Sequence, residues 1–274
     1  MTSGEWLTTI TPNTGASASV REMWQERELL AYLAYRDISV RYKQTMLGAA
    51  WAFLQPLLTA VIFSIFFGRL AAMPSDGVPY SLFSYAGLLI WTFFSSSVSQ
   101  GALSLVNSTS LFTKVYFPRL FIPLACIATA AVDFAIASIP LVAMMVWHRW
   151  VPPVQIVVLP LVVAFAVVVA VGISLFLSAV AVRYRDVRYV VPFGLQLMLF
   201  LSPVAYPASL VPERWRPLWA LNPMAGVIEA FRWSVLGTPL EWPVLIPGVM
   251  VGGLVLWAGI SYFRRVESSF ADVA

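Results

Sequence analysis

The chain has 274 residues, of which 60% are hydrophobic and only 11% are charged, and its mean hydropathy is +0.82. A soluble domain carries about 25% charged residues, so this composition excludes an ordinary soluble protein. The single cysteine excludes a disulfide framework. The net charge of +4 does not by itself indicate a nucleic-acid partner, because its meaning depends on where the charged residues lie.

Long uncharged stretches recur along the chain, and a membrane-spanning helix needs roughly 20 apolar residues. The stretches cover 44–68, 77–113, 120–147 with an interruption at Asp133, 150–182, 189–212 and 242–263. We therefore predict an all-α integral membrane protein with six transmembrane helices inside 47–265. Residues 1–20 and 266–274 are predicted to be tails.

The basic residues predict the orientation of these spans. With the N-terminus in the cytoplasm, 12 of the 17 Lys and Arg residues lie on the cytoplasmic side and 5 on the outer side. Because Lys and Arg concentrate in cytoplasmic loops, both termini are predicted to be cytoplasmic. The basic balance thus reflects topology, and no nucleic-acid partner is expected.

The first span is preceded by a segment of different character, 21–46. Apolar residues recur there at helical spacing, with charged residues between them. This pattern predicts an N-terminal amphipathic interface helix that lies on the inner membrane surface. A simple interfacial anchor is the alternative interpretation of such a segment.

The outer segment 207–241, between spans five and six, combines charged residues with large aromatic ones. Asn222-Pro223 is a typical helix start and Gly237 is a plausible stop, which predicts one helix. A second short helix is predicted to precede it and to open at Pro212. Helices this short cannot cross a bilayer, so we predict two re-entrant or periplasmic helices on the outer side.

Residues that usually carry catalysis or metal binding are sparse. The sequence lacks the phosphate-loop pattern G-x-x-x-x-G-K-[ST], and His148 is its only histidine. We therefore predict no catalytic residue and no metal site. Asp133 is the one carboxylate deep in a span, where a charge is costly. It should therefore be paired, hydrogen-bonded or facing a wet channel. We expect a structural role, bonded to Ser, Thr or a helix neighbour, rather than contact with a substrate.

Aromatic residues make up 14% of the chain, and many fall inside the predicted spans. Lipid-facing side chains and interfacial belts account for most such residues. The other interpretation is that some line a wide conduit, because aromatic faces suit the apolar C–H faces of sugar rings while a polymer slides past. The candidate lining residues are Trp51, Phe53, Phe63, Phe67, Trp91, Phe94 and Phe200.

Four blocks of sequence carry a resemblance to a known family. In chain order they are RDISVRYKQTMLGAAWAFLQPLL, LFTKVYFPRLFIPL, RYRDVRYVVPFGLQLMLFLSPVAYP and LNPMAGVIEAFRWSVLG. Together they resemble the transmembrane permease of ABC-2-type polysaccharide exporters, and the O-antigen/lipopolysaccharide exporter permeases most of all. The resemblance covers about residues 25–265.

The resemblance implies a homodimer of permeases, each docked on a separate cytoplasmic ABC ATPase subunit that would bind ATP and Mg. The permease itself would be no enzyme and would hold no cofactor. It would export undecaprenyl-diphosphate-linked polysaccharide across the bacterial inner membrane, through a channel at the dimer interface and in contact with membrane lipids. The two short outer helices would act as gate helices.

The resemblance also implies roles for individual residues. ATPase coupling would involve the end of the interface helix and the loop between spans two and three, through Arg36, Asp37, Arg41, Lys43, Lys114, Tyr116, Phe117, Pro118 and Arg119. The outer gate would involve Trp215, Trp219, Glu229, Arg232 and Trp233. Glu229 and Arg232 are three residues apart on one helix, so their side chains are predicted to pair.

Several alternatives stay open from the sequence. Within the same family, the alternative is a permease that exports a capsular polysaccharide or a teichoic acid instead of an O-antigen. Within the same fold, a drug or lipid permease is a rival. From other classes, the rivals are a membrane-embedded glycolipid enzyme and a passive channel.

Overall fold

The computed structural model describes residues 26–43, 50–108 and 118–267. All secondary structure within these ranges is helical, which confirms the all-α prediction. The helices are α1 (Arg27–Lys43), α2 (Ala50–Phe63), α3 (Tyr80–Asn107), α4 (Phe121–Trp147), α5 (Leu159–Arg183), α6 (Val187–Leu201), α7 (Arg216–Trp219), α8 (Pro223–Leu236) and α9 (Trp242–Val266). The predicted tail 1–20, most of 266–274, and Lys114, Tyr116 and Phe117 lie outside the described residues.

Five helical segments of the described chain are long and apolar enough to cross a membrane. A π-helical segment, Ser64–Leu70, extends α2, and a 3-10 segment, Val154–Val158, precedes α5. With these extensions the segments are Ala50–Leu70, Tyr80–Asn107, Phe121–Trp147, Val154–Arg183 and Trp242–Val266. Each coincides with a predicted span, so the chain is a multi-pass membrane protein.

The fifth predicted span, about 189–206, is shorter in the structure. α6 has 15 residues, or about 22 Å, against a hydrocarbon core of about 30 Å. It ends because Ser202, the residue before Pro203, adopts an extended conformation with φ −97° and ψ 152°. A residue that precedes proline is disfavoured in the α conformation, so the proline sets this boundary.

α3 lies at the centre of the bundle. It packs most extensively against α4 and α5, and most of its side chains are buried. α9 packs closely on α5 where Gly259 meets Gly172. The approach requires glycine, because a Cβ at Gly259 would collide with the carbonyl oxygen of Gly172. α2 and α6, by contrast, bury few of their residues, namely Pro56, Ala60, Val187 and Val191.

α1 runs alongside α4. Its two buried residues, Leu33 and Ala34, belong to the same apolar cluster as Phe121 and Ala125 in the first turns of α4. The C-terminal turn of α1 reaches α4 again at Asp133, twelve residues after Phe121. α1 therefore packs beside span three from the first turns of that helix to its middle, and its charged end has a partner inside the helical domain. Its position on the inner membrane surface stays a prediction.

Candidate functional site

A set of polar side chains around Asp133 connects α1 to two of the long helices. Its carboxylate accepts hydrogen bonds from the Arg41 guanidinium and the Tyr42 hydroxyl, both in the last turn of α1. Arg41 also donates to the side-chain oxygen of Gln100 on α3, at 2.5 Å. We call Arg41, Tyr42, Gln100 and Asp133 the polar cluster. It satisfies the expectation that Asp133 is paired, although the partner is a cation from another helix and not Ser, Thr or a neighbour on its own helix.

A cavity of about 250 Å³ adjoins the polar cluster. Its walls come from α1, α2, α3 and α4, and they mix aromatic rings with hydrogen-bonding groups. The lining residues are Arg41, Tyr42, Trp51, Ala52, Gln55, Pro56, Leu89, Thr92, Phe93, Ser96, Ala130, Asp133, Phe134 and Ala137. Trp51, one of the predicted channel aromatics, thus lies beside the polar cluster and is about half exposed.

The other predicted coupling residues lie elsewhere. Arg36 and Asp37 form a local ion pair, with 2.7 Å between Nη2 and Oδ1, and Lys43 is exposed at the end of α1. Arg119 donates from Nη1 to the carbonyl oxygen of Glu267 at 2.5 Å, while Pro118 begins the described part of the loop. Burial raises the pKa of the Glu267 carboxyl, and the nearby positive charge of Arg119 partly offsets that shift. Of the predicted coupling residues that the structure describes, Arg41 is the one that joins α1 to the long helices.

The outer segment folds as its local sequence predicts. The Asn222 side chain accepts a hydrogen bond from the Met224 amide at 3.0 Å and caps α8, and Pro223 is its first residue. Gly237 ends the helix in the left-handed region, with φ 77°. A turn at Pro212 leads into α7, so the short preceding helix is also present. Within α8, 12 of the 14 residues are buried, which makes it a packed helix of the bundle.

Arg232 is the largest fully buried side chain of the described residues. Its guanidinium donates to the carbonyl oxygens of Phe83 at 3.1 Å, Pro203 at 2.5 Å and Val204 at 2.6 Å. The group also lies 3.5 Å from the centroid of the Phe83 ring, as a cation–π contact. A Cβ at Gly87 would collide with its Nη2 atom, so the glycine on α3 leaves room for it. Arg232 therefore ties α8 to α3 and to the turn that follows α6.

The predicted pairing of Glu229 with Arg232 is confirmed, with 3.6 Å between Oε1 and Nη1. Both side chains are buried inside one chain, at 3% and 0% exposure, whereas an exposed pair contributes little. Trp233, the remaining predicted gate residue of α8, is partly buried.

A larger cavity, of about 770 Å³, lies between α3, α5, α6 and the segment that contains α7. Its walls are almost entirely apolar. The lining residues are Trp91, Phe94, Val98, Ile173, Leu177, Val190, Val191, Gly194, Leu195, Met198, Leu201, Trp215, Leu218, Trp219, Leu221, Asn222, Pro223 and Met224. The structure thus brings two predicted channel aromatics, Trp91 and Phe94, together with two predicted gate aromatics, Trp215 and Trp219. We call this space the apolar groove.

The remaining predicted channel aromatics are on other surfaces. Phe63 of α2 packs edge to face with Phe67 of the π-helical extension, with ring centroids 5.2 Å apart. Phe53 packs against the main apolar core. Phe200 lies on the exposed side of α6. The aromatic residues therefore do not form one continuous strip within a single chain.

Tyr42 and Gln100 were not predicted from the sequence as site residues. A carboxylate deep in a span signals that some partner exists. The identity of that partner depends on how α1 packs against α4, since Arg41 and Asp133 are 92 residues apart in the chain.

The fold defines the class of this protein as a multi-pass helical membrane protein. Residues 28–236 match the protein family described as ABC-2 type transporter. The match spans more than half of the chain, and the chain therefore belongs to the ABC-2 type transporter family.

Similar proteins extend over nearly the whole chain. An O-antigen export system permease protein, RfbA, from Myxococcus xanthus is 32% identical over 92% of this chain and 98% of its own length. An O-antigen export system permease protein RfbA from Klebsiella pneumoniae is 27% identical over 90% of this chain and 95% of its own length. The polysialic acid transport protein KpsM of Escherichia coli is 24% identical over 86% of this chain and 93% of its own length.

Proposed function

We propose that this chain is the transmembrane permease subunit of an ATP-driven ABC exporter that carries O-antigen-like polysaccharide across the bacterial inner membrane. The observation that carries the proposal is the 32% identity to an O-antigen export permease over 98% of that protein's length. The substrate is polysaccharide linked to undecaprenyl diphosphate, which enters from the cytoplasm. The chain acts as a transporter subunit and not as an enzyme.

The permease works as a homodimer with six spans per copy, both termini in the cytoplasm, and the channel at the dimer interface. α2 and α6 support this arrangement, because each buries only two residues and offers an apolar face that a second copy would cover. The exposed large hydrophobic residues of α6 are Tyr189, Val190, Phe193, Leu197, Met198, Phe200 and Leu201. In this arrangement α6 crosses the bilayer together with the segment that follows it.

The polymer moves past many weak aromatic contacts and no deep charged site. The apolar groove supports this part of the proposal, since it places Trp91 and Phe94 next to Trp215 and Trp219 of the outer segment. Of the outer helices, α8 is packed into the bundle, whereas Trp215 and Leu218 are exposed. The moving part of the gate is therefore the α7 segment, with α8 as its fixed support.

Energy comes from two copies of a cytoplasmic ABC ATPase subunit, which hold ATP and Mg. The sequence of this chain has no phosphate loop of its own. α1 and the loop between α3 and α4 receive the movement of the ATPase. Replacing Tyr116 or Phe117 with Ala should leave the permease folded but reduce export and ATPase copurification, since aromatic side chains often anchor interfaces. Normal export in both variants would show that the loop is only a connector.

A capsular polysaccharide is the second candidate substrate. The similarity to the polysialic acid transport protein of Escherichia coli favours it, at 24% identity. The higher identity to the O-antigen permeases places it second.

The proposed function is tested by complementation. The chain and its cognate ATPase are expressed in a bacterium that makes lipid-linked O-antigen but lacks its own exporter permease. We expect O-antigen at the cell surface, measured by immunoblot of intact cells, and none when the ATPase is replaced by a variant that cannot hydrolyse ATP. Surface polymer without a working ATPase would contradict the proposal, as would ATP hydrolysis by the purified permease alone.

A further inference from the structure

The polar cluster lies deep in the helical domain. Asp133 follows the first residue of α4 by twelve residues, which is about 18 Å along the helix axis, and the hydrocarbon core is about 30 Å thick. An ionisable residue at such depth is costly, and it usually faces the interior of the bundle and marks a functional position. Asp133 follows this rule, since its carboxylate points toward a cation and a hydroxyl from α1.

Two routes from the cytoplasmic side meet at this cluster. The first is α1, which packs along α4 through Leu33 and Ala34 before Arg41 reaches Asp133. The second is the pair α3 and α4, which flank the loop predicted to dock on the ATPase. Arg41 contacts both of these helices, through Gln100 on α3 and Asp133 on α4. A displacement of α1 along its axis thus acts directly on the two central helices.

The contacts of the polar cluster can break and form again as α1 moves. All four groups are side chains, so each contact can change by rotation about side-chain bonds. The Arg41 and Asp133 side chains are 32% and 21% exposed, and the adjacent cavity of about 250 Å³ leaves space on the α2 side. The rest of α1 packs on α4 through apolar side chains, with Leu33 and Ala34 buried and Leu29 and Leu30 partly buried.

We propose that the Arg41–Asp133 ion pair, supported by Tyr42 and Gln100, is the positioning contact through which movement of α1 is transferred to α3 and α4. This inference rests on the proposed function, because it assumes that an ATPase drives α1. Without the ion pair the permease still folds and binds its ATPase, but ATP hydrolysis no longer moves the two central helices. The loss therefore falls on export per ATP hydrolysed.

The test uses the full permease–ATPase complex. The neutral variants Arg41→Gln and Asp133→Asn each remove one charge and keep a polar side chain, and Asp133→Asn also keeps the size of the residue. We expect export to fall at least tenfold in each, while complex assembly and ATP hydrolysis remain within twofold of wild type. Glu28→Gln is the matched control, since it removes a carboxylate that is exposed in the first turn of α1, away from the polar cluster. It should leave both export and hydrolysis unchanged.

A charge exchange sharpens the result. The double variant Arg41→Asp with Asp133→Arg restores an ion pair of opposite direction, and we expect it to recover part of the export lost in either single exchange. Tyr42→Phe should give an intermediate loss, because it removes one of the two hydrogen bonds to Asp133.

Three results would overturn the inference. One is wild-type export in both neutral variants. Another is loss of assembly together with export in the neutral variants, which would assign the pair a purely structural role. The third is an equal loss in Glu28→Gln. If the wild-type complex exports no polysaccharide, the proposed function fails by itself. The distance between spin labels on α3 and α9 of the reconstituted complex, measured with and without ATP, then still tests the coupling. A change in the wild type that is lost in the neutral variants supports it, and an equal change in the variants contradicts it.

Discussion

Arg41 and Arg232 are both arginines inside the helical domain, yet their surroundings differ. Arg232 is fully buried and donates to three backbone carbonyl oxygens, with Glu229 beside it. Arg41 is about one-third exposed and binds the side chains of Asp133 and Gln100. Backbone acceptors have fixed positions, whereas side-chain acceptors can rotate. Arg232 therefore fixes α8 in place, and Arg41 forms a link between helices that can be remade.

Arg232→Met should have the largest effect. It leaves three buried carbonyl oxygens without their donor and Glu229 without a nearby cation, and breaking a buried ion pair costs about 3–5 kcal/mol. The measurement is the fraction of monodisperse permease that survives heating, by fluorescence-detected size exclusion. Arg216→Met is the control, because Arg216 is partly exposed, donates to one backbone carbonyl oxygen, that of Val211 at 3.0 Å, and lies 3.8 Å from Glu241. An exposed ion pair is worth under about 1 kcal/mol. Equal losses in the two variants would refute the structural role of Arg232.

Gly87→Ala tests the position of Arg232 by a change on α3. The added Cβ would meet the Arg232 guanidinium, and forcing atoms into a packed core costs typically about 1–3 kcal/mol. Gly253→Ala is a matched control on α9, since no atom lies within 4 Å of its added Cβ. There the higher helix propensity of Ala gives a gain of up to about 1 kcal/mol. If both variants have the same thermal stability, the close contact at Gly87 is not what positions Arg232.

Tyr42→Phe should have a smaller effect on stability, about 1 kcal/mol for one hydrogen bond. It removes the Tyr42 hydroxyl from Asp133 and leaves Arg41 in place. The same heating assay measures it, next to Tyr35→Phe, whose ring is 69% exposed on α1. A loss as large as that of Arg232→Met would mean that the polar cluster fixes the fold in the same way as Arg232, and the contrast between the two arginines would disappear.

Glu229→Ala should have the smallest effect on the channel. Because the Glu229–Arg232 pair lies inside one chain, its loss does not open a seal between two copies. We expect the ion leak of the permease, reconstituted without its ATPase, to match wild type, whereas Trp215→Ala in the exposed outer segment should raise it. A leak in Glu229→Ala above that of Trp215→Ala would show that α8 itself is the moving gate.

Much of this architecture follows from the sequence because it depends on local chemistry. Uncharged stretches predict the five long spans, since length and hydropathy alone decide whether a helix crosses a bilayer. Asn222, Pro223 and Gly237 predict the ends of α8 because a cap and a left-handed stop act on adjacent residues. Pro203 also acts locally: it disfavours the α conformation of Ser202, so α6 ends there although the uncharged stretch continues past it.

The partners of the buried charges could be known only from the tertiary structure. A carboxylate deep in a span, such as Asp133, predicts that some partner exists. That the partner is Arg41, 92 residues away, depends on how α1 packs along α4. In the same way, Glu229 and Arg232 are predicted to pair from their spacing, while the acceptors of Arg232 come from Phe83, Pro203 and Val204 on distant parts of the chain. Hydropathy and capping are properties of neighbouring residues, and the sequence determines them directly. Contacts between helices depend on how whole surfaces fit, and packing alone decides which acceptor each cation reaches.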